Sequence, residues 1–184
     1  MAGLRKGVSY RRIERPYTRK SKFKHRSYVK AVPNSKVVRF DMGDIKKTYN
    51  FRVDLIAKDA LQIRHNAIES ARQIINRHLN IKLGNNYFFK VRMYPHHVLR
   101  ENKMLTGAGA DRMQTGMQLA FGRPVGIAAQ VLPGKQIFSV KVMTRADVEA
   151  AKYALRKARS RLPGHYGLGI ELLRPEVIVN KDDE

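Results

Sequence analysis

Two glycine-containing stretches contain residue types that could bind a nucleotide. Residues 107–112 read GAGADR, which begins like a dinucleotide-binding fingerprint but has Arg112 where the third glycine should stand. Residues 116–124 contain two glycines, followed by Arg-Pro instead of the Lys-Ser/Thr pair that binds phosphate and magnesium in a phosphate-binding loop. Neither pattern predicts a nucleotide cofactor.

Histidine is the other residue type that could do chemistry here. His96 and His97 are adjacent, so their side chains would point to opposite faces of an extended segment, and no carboxylate follows at ligand spacing. The remaining histidines are isolated: His25, His65, His78 and His165. We therefore predict no catalytic residues, no metal site and no cofactor.

The strongest chemical signal is positive charge. The 184 residues include 37 Lys and Arg against 15 Asp and Glu, which gives a formal net charge of +22. Such an imbalance implies a polyanionic partner, either nucleic acid or an acidic membrane surface. The sequence shows no secretory signal and no apolar run long enough to span a membrane, which disfavours the membrane. The absence of cysteine excludes disulfides and thiol catalysis and weakly favours an intracellular, cytoplasmic protein.

Basic residues are concentrated in the first thirty positions, where Glu14 is the one acidic residue. We interpret residues 1–30 as an extended arm that binds RNA through its cations, with aromatic rings available for stacking. A solvated, disordered tail is the alternative that the sequence leaves open. Alternate residues of an extended chain share a face, so the cations between residues 20 and 26 would form one cationic face. The candidate RNA-binding residues are Arg5, Arg11, Arg12, Arg15, Arg19, Lys20, Lys22, Lys24 and Arg26.

A second unusual segment, residues 102–117, reads NKMLTGAGADRMQTGM and has neither helical nor strand periodicity. We predict a long, mobile, glycine-rich loop. Basic residues in and beside it would anchor its base and flanks to RNA: Arg100, Lys103, Arg112 and Arg123.

The rest of the chain predicts one α+β domain over residues 31–175, followed by an acidic tail over residues 176–184. Apolar stripes predict one helix over residues 59–79 and another that begins with a capping box at Thr144 and Asp147 and ends before Pro163-Gly164. The cations on the polar face of the second helix could contact RNA or simply face solvent. Pro133-Gly134 predicts a hairpin between its flanking strands. Predicted strands cover residues 36–41, 49–55, 87–93, 125–132, 136–143 and 168–173.

Three segments in order along the chain, residues 15–43, 91–126 and 132–142, resemble the large-subunit ribosomal protein family called L10e in archaea and eukaryotes, whose bacterial relative is L16p. The cysteine-free composition is more similar to the archaeal branch. The resemblance implies an α/β-hammerhead type of fold, with a mixed sheet packed against two helices. It also implies a place on large-subunit rRNA near the central protuberance and the aminoacyl-tRNA site, beside neighbouring ribosomal proteins and without homo-oligomerisation.

In that family the loop reaches toward the peptidyl-transferase centre and the acceptor ends of tRNA in the aminoacyl and peptidyl sites, and the protein joins the subunit late in assembly. The loop residues implied to lie near tRNA are Lys103, Thr106, Gly107, Gly109, Asp111 and Arg112. The bacterial relatives have several lysines in this loop, whereas this chain has only Lys103 and Arg112. We therefore expect the loop tip to approach RNA with its backbone, which glycine permits.

Two other function classes remain open on the residues alone. An enzyme acting on RNA would use Asp111, Arg112 and His97, and it would show turnover without ribosomes. A DNA-compacting protein would account for the charge but not for the capped helices and the loop together.

Overall fold

The computed structural model describes residues 5–13, 23–104, 107–109, 116–118 and 120–173, and it confirms the α+β class with two helices. The described strands and helices, in chain order, are β1 (Asp41–Gly43), β2 (Phe51–Ala57), β3 (Leu61–Arg64), α1 (His65–Leu83), β4 (Tyr87–Val91), β5 (His97–Glu101), β6 (Arg123–Val131), β7 (Gln136–Val142), α2 (Arg145–Ala158) and β8 (Tyr166–Leu172).

The strands are divided between two sheets, where one mixed sheet was expected. A five-stranded sheet has the order β1-β4-β7-β2-β8, and a three-stranded sheet has the order β3-β6-β5. All pairings between the described strands are antiparallel. The two halves of the chain contribute to both sheets, so the fold is one continuous structure from β1 to β8.

The hairpin predicted at Pro133-Gly134 is wrong. The turn itself forms, but it carries the chain from β6 in the small sheet to β7 in the large one. Gly134 N donates to Ala57 O of β2 at 2.8 Å, so the turn is fastened to the large sheet and not across a hairpin ladder. Turn residues specify a change of direction, while the partner of each strand is chosen by packing elsewhere in the fold.

The start predicted for the first helix is also wrong. Residues 61–64 form strand β3, in which Leu61 and Ile63 are opposite Val131 and Ala129 of β6. Leu61 had matched the helical stripe because it lies seven residues before Ile68, a spacing that a helix would also place on one face. Tertiary pairing with β6 overrides that local pattern. The helix begins at His65, and the rest of its stripe is buried as predicted: Ile68, Ala71, Ile75 and Leu79.

One predicted strand is almost wholly absent, and a further observed strand was not predicted. Within the predicted strand 36–41, only Asp41 is in a strand, because the ladder between β1 and β4 begins there. Strand β5 was not predicted; it pairs with β6 and supplies an edge of the small sheet. Its sequence HVLRE is too short and too mixed to stand out without its neighbour.

The second helix has the predicted capping box. Asp147 N donates to Thr144 Oγ1 at 3.2 Å, and Thr144 N donates to Asp147 Oδ2 at 3.2 Å. The α-helix ends at Ala158 and a single 3-10 turn, Arg159–Arg161, follows it. The capping box gives hydrogen-bond acceptors to two backbone N–H groups, those of Thr144 and Asp147, at the start of the helix.

The main core lies between the helices, the inner face of the large sheet and one face of the small sheet. Its fully buried side chains include Leu55, Phe89, Phe138, Ile75 and Leu155. A second, smaller cluster joins Val29 to Val98 and Ile127 on the small sheet. Residue 29, inside the predicted arm, therefore packs on the folded domain.

Candidate nucleic-acid interface

The first described part of the arm, residues 5–13, is held against the edge of the small sheet by its backbone. Gln62 N in β3 donates to Arg11 O at 2.9 Å, and Gln62 Nε2 donates to Arg12 O at 2.6 Å. Arg64 Nη1 donates to Arg5 O at 2.9 Å. The backbone is thus docked while residues Arg5, Arg11 and Arg12 are exposed. Docking brings three of the predicted RNA-binding cations to one edge of the domain.

The second described part of the arm has a different shape from the predicted one. Lys24–Arg26 form a single 3-10 turn, closed by Arg26 N donating to Phe23 O at 3.0 Å. The extended conformation that would align Lys24 with Arg26 is therefore absent there, and that prediction is wrong for these two residues. Phe23 is 60% exposed beside the Arg26 guanidinium, at 5.6 Å from ring centroid to guanidinium carbon. The remaining predicted arm residues lie outside the described residues: Arg15, Arg19, Lys20 and Lys22.

The glycine-rich loop leaves the small sheet after β5 and re-enters it at β6. Lys103, Gly107 and Gly109 are exposed. Thr106, Asp111 and Arg112 lie outside the described residues, so their predicted proximity to tRNA stays a prediction.

At the root of this loop, Arg100 of β5 contacts Phe121, which lies two residues before β6. The Arg100 guanidinium lies 4.0 Å from the Phe121 ring centroid, and its Nη1 donates to Phe121 O at 2.8 Å. Tyr28 extends the cluster, with its ring centroid 6.5 Å from that of Phe121. Arg100, predicted to anchor the loop to RNA, thus contacts Phe121 at the opposite end of the loop, on the protein surface. Arg123 is exposed at the start of β6 and remains available to a ligand.

The cations of α2 are partly engaged within the protein. Lys152 forms an ion pair with Glu149, and the Lys157 Nζ atom lies 5.2 Å from the Tyr153 ring centroid. Lys82 of α1 approaches the same ring, with its Nζ atom 4.4 Å from the centroid. The 3-10 turn after α2 is exposed and carries Arg159 and Arg161. This second cationic surface adjoins the arm, since Arg161 lines one pocket together with Arg11.

Several contacts that build the arm side of the interface could not be predicted from the sequence. Tyr10 Oη donates to Glu101 Oε2 at 3.4 Å across 91 residues of chain. The Arg64 guanidinium carbon lies 5.8 Å from the Tyr10 ring centroid. An aromatic ladder of Phe40, Tyr94 and His96 was also missed; its consecutive ring centroids are 5.4 and 4.6 Å apart. Each joins residues far apart in sequence or in irregular segments, where periodicity carries no signal.

The described residues contain neither a candidate metal site nor a helix that could span a membrane. No group of three or more His, Asp or Glu side chains is placed there to hold a metal ion. None of the helices in the described ranges is long and apolar enough to cross a bilayer. His165, predicted to be isolated, contacts Asp59: its backbone N donates to Asp59 Oδ2 at 2.8 Å, and its ring Nδ1 lies 2.8 Å from the same oxygen. Those two contacts lower the pKa of the Asp59 carboxyl.

Comparison with known proteins places the chain among ribosomal proteins. A family model described as ribosomal protein L16p/L10e matches residues 13–168. The large ribosomal subunit protein uL16 of Staphylothermus marinus is 51% identical over 149 residues, which cover 80% of this chain and 82% of that protein. The protein of the same name from Archaeoglobus fulgidus is 46% identical over 84% of this chain and 85% of its own length. That of Methanococcus aeolicus is 44% identical over 93% and 98%.

Proposed function

This chain belongs to the ribosomal protein L16p/L10e family, with archaeal relatives, and we propose that it binds large-subunit rRNA beside the aminoacyl-tRNA site. Membership of this family makes the protein a structural constituent of the large ribosomal subunit that acts in translation. We further propose that the protein is non-catalytic and lies near the central protuberance. There it would contact neighbouring ribosomal proteins, after joining the subunit late in assembly.

The observation that carries the rRNA-binding proposal is the docked cationic arm. A free arm would lose much conformational freedom when it binds, whereas residues 5–12 are already ordered on β3 with Arg5, Arg11 and Arg12 exposed. Phosphate neutralisation by such cations releases counterions and supplies salt-dependent affinity. The whole chain, at +22, has the charge to make six to ten such contacts, for which binding would fall roughly 10³- to 10⁵-fold between 50 and 200 mM salt.

The test is the salt dependence of binding to a large-subunit rRNA fragment. We expect replacement of Arg5, Arg11 and Arg12 by Gln to reduce the slope of log K against log salt by up to about 2.7. Replacing three exposed cations elsewhere, Lys46, Lys135 and Arg145, makes the same change in net charge and should leave the slope nearly unchanged. Affinity that does not depend on salt would overturn the proposal.

The loop is proposed to reach toward the peptidyl-transferase centre and the tRNA acceptor ends. Its support is the root of the loop, where Arg100 and Phe121 hold the two ends together. We expect deletion of residues 106–110 to leave the melting temperature of the free protein unchanged and to impair tRNA accommodation by ribosomes that contain it. Replacement of the same residues by a Gly-Ser segment of equal length separates the reach of the loop from its sequence. A large fall in melting temperature would show that the segment belongs to the core instead.

A further inference from the structure

A pocket lies where the arm, the small sheet and the root of the loop meet. Its volume is about 450 Å³, within the range of pockets that enclose a small organic ligand. Docking of the arm creates one wall of it, because Arg5 and Tyr10 close a space whose other walls belong to the domain. The domain contributes Arg64, His65, Asn66, Leu99, Glu101, Lys103, Val125, Gly126 and Ile127.

The lining combines an apolar surface with positive charge. Leu99, Val125 and Ile127 supply the aliphatic part, and the Tyr10 ring supplies a flat aromatic group beside them. Arg5, Arg64 and Lys103 supply three cations against the single carboxylate of Glu101. The pocket therefore suits a flat, largely apolar group that is attached to negative charge.

Glu101 is already occupied by the arm. Its Oε1 lies 3.4 Å from Arg5 Nε, and its Oε2 accepts from Tyr10 Oη at 3.4 Å. These contacts hold the Tyr10 ring in place and neutralise the carboxylate, which would otherwise repel an anionic ligand. Burial, followed by the nearby Glu101 charge, raises the pKa of Tyr10 above its ordinary value.

His65 adds a neutral polar group. Its Nδ1 accepts a hydrogen bond from Lys36 N at 3.3 Å, which leaves the proton on Nε2. Burial, reinforced by the charges of Lys36 and Arg64, lowers the pKa of His65 and favours this neutral form. A methyl group on Gly126 would lie 3.5 Å from Nε2, so this nitrogen faces β6 at the pocket wall.

We propose that this pocket binds one unpaired nucleotide of an RNA chain, with the base against Tyr10 and the aliphatic side chains and its phosphates beside Arg5, Arg64 and Lys103. Single-stranded RNA is commonly recognised in this way, through bases that leave the stack and lie on aromatic side chains. The inference rests on the proposed rRNA-binding function and adds a specific site to it. An acidic protein segment would satisfy the same cations but would leave Tyr10 and His65 without a nucleotide adduct on bound rRNA.

The test uses the full chain bound to large-subunit rRNA, which is then irradiated at 254 nm and digested, and the adducts are identified by mass spectrometry. We expect a single nucleotide joined to Tyr10 or His65. Nucleotide adducts confined to other parts of the chain would overturn the inference.

Two pairs of variants make the test quantitative. Gly126→Leu fills the pocket and keeps every cation, whereas Gly126→Ala adds only one methyl group in ordinary contact with His65. We expect the Leu variant to bind rRNA roughly 5- to 150-fold more weakly with an unchanged salt slope, and the Ala variant to bind within about twofold of the parent. Tyr10→Ala against Tyr10→Phe repeats the comparison without altering the sheet, in case the Leu variant does not fold.

The outcomes separate the two proposals. If the parent protein binds rRNA with the expected salt slope, and the filled pocket and Tyr10→Ala bind equally well, the nucleotide site is wrong and rRNA binding stands. If the parent protein shows no salt-dependent rRNA affinity, both proposals fail. Free 5′-mononucleotides, titrated alone, should compete poorly, because they lack the flanking phosphates that the three cations would contact; tight binding of a free nucleotide would identify a small-molecule site instead.

Discussion

Asp54 illustrates how strongly single residues are constrained in this fold. It is 4% exposed on the outer face of the large sheet, and its Oδ2 accepts from Arg52 Nε at 2.9 Å. Its Oδ1 has no hydrogen-bond partner among the described residues. Arg52 also pairs with Glu171 of β8. A buried carboxylate that loses its partner is costly, so Arg52 is needed for stability wherever Asp54 remains.

We expect Arg52→Leu to reduce the free energy of unfolding by about 3 kcal/mol, because it leaves the Asp54 charge buried and unpaired. The double variant Arg52→Leu with Asp54→Asn should recover about 1 kcal/mol or more of this loss, since the uncompensated charge is removed. Urea unfolding measures both. Equal stability of the single and double variants would show that the Asp54 charge is not the cause.

Glu69 makes a pH-dependent contribution to the free energy of unfolding. On α1 it accepts from Arg72 Nε at 2.8 Å and from Gln73 Nε2 at 3.0 Å. The Arg72 hydrogen bonds are the main reason that the pKa of Glu69 lies below its usual value of 4.5, and they outweigh burial. Because the folded-state pKa is depressed, the stabilisation is present above the unfolded value and is lost as pH falls through the folded value.

Replacing Glu69 by Gln should therefore cost about 1 kcal/mol at pH 7 and progressively less as the pH falls below the usual value of 4.5. The measurement is the free energy of unfolding by urea between pH 7 and 3, in which the variant should show a flatter dependence below about pH 5. Glu149→Gln is the control, since Glu149 pairs with Lys152 on the exposed side of α2, where solvent screens the interaction. Parallel pH profiles for Glu69→Gln and the parent protein would contradict the assignment.

Among the elements, the junction of β5 and β6 determines where the loop begins. Gly122 has φ +65°, and a Cβ there would lie 2.8 Å from Glu101 C and 3.0 Å from Asn102 N. The backbone at Gly122 lies too close to that of Glu101 and Asn102 for a side chain to fit at position 122. Together with the Arg100 clamp, this contact lets a loop of more than twenty residues leave the sheet from a narrow root.

Gly122→Ala should lower the free energy of unfolding by about 2–3 kcal/mol, from a strained backbone and a steric clash at the root. Gly116→Ala is the matched control: its φ is +60°, but no atom of the described residues lies within 4 Å of the added Cβ. It should cost about 1 kcal/mol, from the backbone conformation alone. Urea unfolding of the two variants compares them, and equal losses would mean that the close approach has no energetic effect.

At the scale of the whole molecule, the arm and the small sheet depend on each other. Strand β3 is an edge strand, and an exposed edge invites pairing with other chains. The arm covers part of this edge through Gln62, whose backbone and side chain donate to Arg11 O and Arg12 O. A highly charged segment is thus fixed at one end of the domain, and it completes both the sheet edge and the pocket.

Replacing Gln62 by Met should release this segment, because the isosteric side chain cannot donate to the arm carbonyls. We expect a loss of about 1–2 kcal/mol in the free energy of unfolding and faster tryptic cleavage after Arg11 and Arg12 in limited proteolysis. Gln73→Met on the exposed side of α1 serves as the control, with an unchanged cleavage rate at these sites. Unaltered cleavage in the Gln62 variant would show that other contacts hold the arm.

The features that the sequence alone determined are those built from residues within a few positions of one another or from composition. The net charge, the capping box at Thr144 and the buried stripe of α1 after Ile68 are of this kind, because helical periodicity and capping involve neighbours three or four residues apart. The family resemblance, carried by whole segments, is confirmed by the match over residues 13–168.

Tertiary structure alone decided which strands pair and what the arm contacts. Leu61 fits a helical stripe and a strand equally well, and only pairing with Val131 selects the strand. The segments flanking Pro133-Gly134 have the sequence of a hairpin, yet each finds better-packed partners in a different sheet. The contact of Tyr10 with Glu101 spans 91 residues. The physical reason is that strand pairing and docking are competitions among many similar apolar and polar segments, which only the packed whole resolves.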